Sequence, residues 1–350
     1  MELVDRLTAW SHARQRLGRP ARSPLEALRA VVAVYATHPT APLALWTRSR
    51  SFTPAAYRRI DRDRKAVRLP AMRRTVFLVP RDHVAEMFAA TRASEAHARR
   101  GLRRWGFSDA DYERVARRIL AAAREPLPAQ ALQDAAGLDG PQLGTVLRCL
   151  RYEGRLVTVA GDSLLSSPHS YVATATWVPE VLDGPDRAES LARLAGEYLR
   201  AYGPARVADF AWWTGATKRA AADAVAEHDT IDLGHGLLLP AIDGAGFGRV
   251  KPVRGVVNLL PKWDAYTLGH APDGRARFVH PDVQPRVYTP MGVGLPGDGN
   301  PVALVDGRAA ATWTFTLKDG PAVQPFEPLG RLARRAVDER LETIAGLLTG

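Results

Sequence analysis

The strongest constraint on this chain is a pattern of helix, tight turn, helix and paired β-runs that recurs along it. It is clearest in LPAQALQDAAGLDGPQLGTVLRCLRYEGRLV, residues 127–157. A helix opened by Ser108-Asp109 and running to about Arg124 precedes it. Gly137 suits a helix C-terminus because it tolerates positive φ, and Pro141 suits the first turn of the next helix. On that second helix Leu143, Val146, Leu147 and Leu150 fall at i, i+3, i+4 and i+7, one buried stripe. Gln142, Thr145, Arg148 and Arg151 then face outward, the arrangement by which a helix-turn-helix enters a DNA groove. Gly154 stops the helix. RLVTVAGDSLLSSPHSYVATATW then reads as two β-runs joined through Gly161-Asp162, a hairpin or wing. Cys149, beside the apolar stripe, reads as a core thiol, since no base adjoins it.

The same grammar returns in GPARVADFAWWTGATKRAAADAVAEHDTIDLGHGLLLP, residues 203–240. Pro204 starts a helix, Thr214-Gly215 makes the turn, and Thr217 caps a second helix with Lys218 and Arg219 at its start. The β-runs TIDL and LLLP flank Gly234 and Gly236. Trp212-Trp213 reads as inter-helix packing rather than a stacking platform for bases. In the first third, Ser23-Pro24-Leu25-Glu26 is a capping box with proline at N1. Leu25, Leu28, Val32 and Tyr35 share one helical face, predicting a helix that Pro39 ends. A short helix over about Pro42–Arg50 follows, then one opened by Thr53-Pro54 that carries Arg58, Arg59, Arg62 and Arg64. AVRLPAMRRTVFLVP reads as two strands, and a helix starts at Asp82.

From Arg249 to about Phe326 the text changes to short β-runs: KPVRGVVNLLPKW, ARFVHP, PRVYTP and PVALVDGRAAATWTFTL. Pro296-Gly297-Asp298-Gly299 and Asp306-Gly307 are turn signals, and a closing helix spans about Arg331–Leu348. Gly244-Ala245-Gly246-Phe247-Gly248 is not a dinucleotide fingerprint, because a strand rather than a helix is expected after it. The reading is α+β: three tandem winged-helix modules (1–108, 109–183, 184–243) and a small C-terminal β-barrel with a terminal helix (244–350).

Charge adds the partner. Residues 1–108 hold 22 Lys and Arg against 8 Asp and Glu, while residues 109–350 hold 26 against 29. A GC-rich genome would explain arginine in place of lysine but not this lopsidedness. One module with a surplus of one sign attracts polyanions, so duplex DNA is the expected partner. The single cysteine rules out an internal disulfide and a cysteine-based zinc site. Without a signal pattern or a run of ~18 apolar residues, a cytoplasmic, nucleoid-associated protein is expected, with no membrane partner. The nine histidines show no H-E-x-x-H spacing, and G-x-S-x-G and P-loop motifs are missing, so neither a metal nor a cofactor is expected.

Four phrases carry a resemblance over nearly the whole chain. They are LALWTR (43–48), MRRTVFLVPRD (72–82), LLPKWDAYTLGH (259–270) and VDGRAAATW (305–313). Together they resemble the AlkZ/YcaQ family of winged-helix bacterial DNA glycosylases. The resemblance implies three winged-helix modules and a β-barrel forming a concave basic DNA-binding surface. It also implies excision of N-alkylated purines, crosslinked ones included, in base excision repair or genotoxin self-resistance.

That family carries Gln-x-Gln, Gln-x-Asp or His-x-Gln at the end of its first-module helix. Aligned through ALW, the site here is Tyr35-Ala36-Thr37, followed by His38. Phe77 and Arg74 stand where its M-R-G-T-l-H segment has histidine and glycine. An N7-alkylpurine is already a good cationic leaving group, so the work is to place a water and stabilise an oxocarbenium-like sugar. Tyr35 and Thr37 can each hold a water, and His38 is the group nearby that titrates near neutrality; it reads either as a base or as a helix-end contact. Asp264 reads either as a carboxylate facing the cleft beside Trp263 and Tyr266, or as a bond between barrel and modules. The DNA-contacting set is Arg48, Arg50, Arg58, Arg59, Arg62, Arg64, Arg73, Arg74, Lys262 and Trp263. A catalytically silent DNA-binding or regulatory protein is the alternative, and the Tyr35–His38 site separates the two.

Overall fold

The structure is a computed structural model that describes residues 1–166, 169–291 and 295–350, with the backbone alone for 289–291 and 295–298. Helix α1 (Leu3–Arg14) precedes α2 (Pro24–Ala30), whose first turn is closed by Ser23 Oγ accepting from the Glu26 amide at 3.2 Å. The Glu26 carboxylate reaches one residue further back than the capping box predicts, to the Arg22 amide.

The helix expected to run to Pro39 stops at Ala30. Val32 adopts φ 68°, and Val34–Tyr35 form strand β1. The cause is burial. Val31, Val32, Ala33 and Val34 are all at most 3% exposed, and they divide between two cores. A surface helix buries one stripe and cannot hide four consecutive side chains. An extended segment can, and its amides find long-range partners: Val34 pairs with Leu78, Tyr35 with Phe77, and the Ala36 amide donates to Val76.

Next come α3 (Thr40–Trp46), α4 (Pro54–Arg62, capped by Thr53), β2 (Ala66–Pro70), β3 (Val76–Pro80), α5 (Val84–Thr91) and α6 (Glu95–Ala98). Helices α7 (Asp109–Ala122), α8 (Ala129–Ala136) and α9 (Gly140–Tyr152) follow, with Ser108 and Asp139 as caps and Gly137 at φ 67°. The predicted stripe Leu143, Val146, Leu147 and Leu150 is buried. The opposite face of α9 is less open than its pattern suggests. Trp105 Nε1 donates to Thr145 Oγ1 at 3.1 Å, and Tyr152 Oη donates to the Arg74 carbonyl. Cys149 is buried, its thiol donating to the Ala98 carbonyl, and desolvation pushes its pKa up to about 11.

Strands β4 (Leu156–Ala160) and β5 (His169–Ala173) form the second hairpin, followed by α10 (Thr174–Trp177). Ser167 and Pro168, within that expected hairpin, lie outside the described residues. The two hairpins are one structure: a five-stranded sheet of order β1-β3-β2-β4-β5, joined where Arg68 pairs with Thr158. Helices α11 (Arg187–Tyr202), α12 (Val207–Thr214) and α13 (Lys218–Ala226) share a core with this sheet, with hairpin β6 (Thr230–Asp232) and β7 (Leu238–Pro240) beside them. Gly215 takes φ 79° at the turn, and Thr217 caps α13.

The tail holds α14 (Gly244–Gly248), β8 (Val257–Leu260), α15 (Ala265–Leu268), α16 (Gln284–Val287), β9 (Tyr288–Met291), β10 (Leu295–Gly299), β11 (Val302–Val305), β12 (Arg308–Thr316), β13 (Gly320–Pro325) and α17 (Arg331–Thr349). The glycine-rich run is thus itself a short helix, and 296–299 belong to a strand rather than a turn. ARFVHP is not a strand; its first residues end a 3-10 turn, Pro272–Arg277. Asp306-Gly307 makes the expected turn between β11 and β12. Strands β13-β12-β11-β8 form an antiparallel sheet, and among the described residues its two outer strands do not pair to close it. Helix α17 covers it with Val337, Leu341 and Ile344. Among the described residues no helix is long and apolar enough to cross a membrane.

Candidate nucleic-acid interface and active site

From the edge strand β1 into the bend that follows it, the burial alternates. Val34 and Ala36 are buried, Tyr35 is half-buried and Thr37 is exposed. This resembles the period of two of an extended chain, although β1 itself ends at Tyr35. On a helix, as the sequence predicted, side chains at i and i+2 would diverge. Here Tyr35 closes the strand and Thr37 lies in the exposed bend that leads to α3.

Tyr35 is held from three directions. Its ring lies 4.4 Å from Phe77 and 5.8 Å from Trp263, and its hydroxyl accepts from Arg73 Nη2 at 2.9 Å. With that lone pair engaged, the phenolic proton remains to be donated. Arg73 comes from the turn between β2 and β3, where two successive non-glycine residues take left-handed φ: Arg73 at 50° and Arg74 at 63°. Such backbone costs on the order of 1–2 kcal/mol per residue and gathers at functional sites. The guanidinium of Arg73 also lies over the ring of Trp212, 3.9 Å from its centroid.

Trp263, at φ 59°, carries Lys262 over its ring at 4.5 Å. The next residue, Asp264, is fully buried. Its two oxygens accept from Arg48 at 2.6 and 2.8 Å, and one also caps α15 through the Tyr266 amide. Both oxygens are therefore committed to holding segments together, and the carboxylate does not face a cleft. Arg48 is buried with it and has no surface to offer DNA.

His38 lies apart from Tyr35 in its partners. Nδ1 faces the carbonyls of Ser163 and Ser166 at 2.8 and 2.9 Å, so this nitrogen carries the proton and donates. Nε2 then accepts from Tyr57 Oη at 2.8 Å. Tyr57 in turn accepts from Arg68, which pairs with Asp61 in the interior. Desolvation, aided by Arg68, pushes the His38 pKa down to about 4. The ring is neutral near pH 7 with its acceptor nitrogen occupied. It clasps the loop after β4 rather than standing ready to deprotonate a water.

The arginines of α4 and of the turn after it are partly spent inside the molecule. Arg58 donates to the Asp162 carbonyl, Arg62 pairs with the Asp162 carboxylate, and Arg64 reaches the Thr176 carbonyl and lies over Trp177. Arg59 and Arg50 are exposed. A wider basic surface lies elsewhere. A cleft of ≈ 1180 Å³ is lined by Arg73, Arg74, Arg92, Arg99, Arg100, Arg103 and Arg187, with Glu95 and Asp109 as its acids. Desolvation and the nearby Arg74, Arg100 and Arg148 hold the pKa of His97, on this cleft, below its ordinary value. Arg92, Arg100 and Arg103 were legible only as part of the bulk charge of the first third, and Arg187 not at all. Arg73 borders this cleft and also a small cavity against Tyr35, Phe77 and Trp263. No group of residues able to hold a metal ion occurs among the described residues.

Comparison with curated proteins gives no match. Among solved structures, the Streptomyces sahachiroi DNA glycosylase AlkZ superposes with a TM-score of 0.76 at 19% identity, covering 98% of this chain and 97% of that one. The family model described as DNA glycosylase AlkZ-like matches residues 28–347. This span contains the edge strand with Tyr35, the strained Arg73-Arg74 turn and most of the basic cleft, and the chain belongs to the AlkZ-like DNA glycosylase family.

Proposed function

We propose that this protein binds duplex DNA through its basic cleft and releases N-alkylated purines at the edge strand that ends in Tyr35 and the bend after it that holds Thr37. The observation that carries this reading is the Tyr35 hydroxyl, held by Arg73 beside a small cavity that Arg73 shares with the basic cleft, with the exposed Thr37 two residues further on. Three helix-turn-helix and hairpin units supply the frame, each read as a winged helix, with the C-terminal sheet and its helix closing behind the site.

The chemistry asks little of the protein. A purine alkylated at N7 or N3 is cationic, so cleavage of its C1′–N bond returns the bonding electrons to the ring and releases a neutral base. A water oxygen bonds to C1′, and its proton passes to solvent. What the site must add is placement of that water and a shape that favours the cationic sugar. Thr37 Oγ1 accepts from the water, and the Tyr35 hydroxyl, fixed by Arg73, donates to the sugar or the water. His38 holds the strand's exit by clasping the neighbouring loop. The test is a base-release assay on duplexes carrying N7-alkylguanine or N3-alkyladenine. Free base and an abasic strand are expected. Tight duplex binding with no release across a broad lesion panel would overturn the enzymatic reading and leave a binding protein.

A further inference from the structure

Three stretches of the chain, around Arg73, Trp212 and residues 275–288, bring one cation-rich cluster to the side of Tyr35. Arg73 and Arg275 both lie over the ring of Trp212, at 3.9 and 4.9 Å from its centroid, and Arg275 also lies 4.3 Å over Tyr288. We propose that Arg73 and Arg275, carried on Trp212, form a subsite for a single backbone phosphodiester of the bound strand, next to Tyr35. This rests on the DNA-binding reading above and names the part of the DNA that this corner takes.

Arg275 is the decisive residue. It is 1% exposed, and its Nε donates to the His270 carbonyl at 3.3 Å, but among the described residues Nη1 and Nη2 have no hydrogen-bond partner. The carboxylate in reach of its charge, Asp209, already accepts from Arg206 and from the Ala271 amide. Burial pushes the Arg275 pKa down and Arg73 adds to that, while the stacked rings offset only part of the cost. A guanidinium does not shed its proton in proteins, so an uncompensated positive field persists. An apolar residue of similar volume would pack there at lower cost. A buried cation with no carboxylate bonded to it among the described residues adds its field to the attraction of an anion that arrives from outside.

The anion arrives at Arg73, which borders the open cleft. Arg275 acts from behind through a low-dielectric path that weakens its field little. A phosphodiester matches this field and an N-alkylpurinium base does not, because the base is itself cationic. Neutralising both guanidiniums also removes repulsion from the sugar as positive charge grows on it.

The experiment is a methylphosphonate scan. A duplex with one abasic-site analogue is made with each flanking phosphate replaced in turn by the neutral methylphosphonate. Affinity is measured for wild type, Arg73→Gln, Arg275→Met and Arg275→Lys, with thermal melting as the folding control. One position is expected to weaken wild type and Arg275→Lys by about tenfold, and to change Arg73→Gln and Arg275→Met by less than about twofold. If Arg275→Met does not fold, the contrast between Arg73→Gln and Arg275→Lys decides. Equal penalties in all proteins, or no sensitive position, overturn the subsite while leaving DNA binding intact. Failure of wild type to bind any duplex at low salt overturns the DNA reading itself.

Discussion

Arg48 and Asp264, 216 residues apart, meet as a doubly hydrogen-bonded ion pair with both side chains fully buried. It ties the end of α3 to the segment that presents Trp263 to Tyr35. Removing one partner strands the other's charge in the interior, which typically costs ~3–5 kcal/mol. Asp264→Asn is therefore expected to lower the melting temperature by many degrees. A variant melting like wild type would show that the pair is not a structural tie.

DNA affinity should fall steeply with salt. The cleft presents several exposed arginines, and each phosphate they neutralise releases a counterion. Raising salt from 50 to 200 mM is expected to weaken duplex binding by at least about a hundredfold, measured by fluorescence anisotropy. A flat salt response would remove the electrostatic basis of the interface.

Two arginine sets can be compared directly. Replacing Arg74, Arg92, Arg100 and Arg103 with alanine should weaken binding far more than replacing Arg58, Arg62 and Arg64, which already bond to Asp162 and Thr176. Neither set should cost much stability, since exposed ion pairs contribute about 0–1 kcal/mol. The reverse order of affinities would place the DNA on α4 instead.

Tyr35→Phe and Thr37→Ala remove one hydroxyl from the end of the edge strand and one from the bend after it, without altering the ladder. Base release is expected to drop by about 10–100-fold in each, with duplex affinity and melting temperature nearly unchanged. Full activity in both would move the chemistry elsewhere.

His38 should govern acid stability, not the rate near neutrality. Its folded-state pKa of about 4 lies below the ordinary 6.5, so folding favours the neutral ring. That stabilisation is fully present above about pH 6.5 and is lost as the pH falls toward 4. Base release should be flat from pH 6 to 8. Wild type should lose melting temperature between pH 6.5 and 4 more steeply than His38→Gln. A rate that declines through pH 6.5 would return the imidazole to the role of base.

What the sequence determined by itself are the features closed within three or four residues. Ser23, Thr53, Ser108 and Thr217 cap the helices they were expected to cap, and Gly137 and Gly215 take the left-handed turns that end α8 and α12. The buried stripe on α9 and the lopsided charge were equally legible, because periodicity and composition need no partner. The tertiary structure decided the rest. Leu25, Leu28, Val32 and Tyr35 fit a helical stripe, yet the ladder to Leu78 and Phe77 and the burial of residues 31–34 from two sides make the last part a strand. Asp264 could face a cleft or tie two segments, and Arg48 settles it from the other end of the chain. Arg275 carried no signal at all, since its meaning lies in the hydrogen bonds that its buried guanidinium lacks among the described residues. A local bond is written in adjacent letters, whereas the cost of an unpaired buried charge exists only once the chain has closed around it.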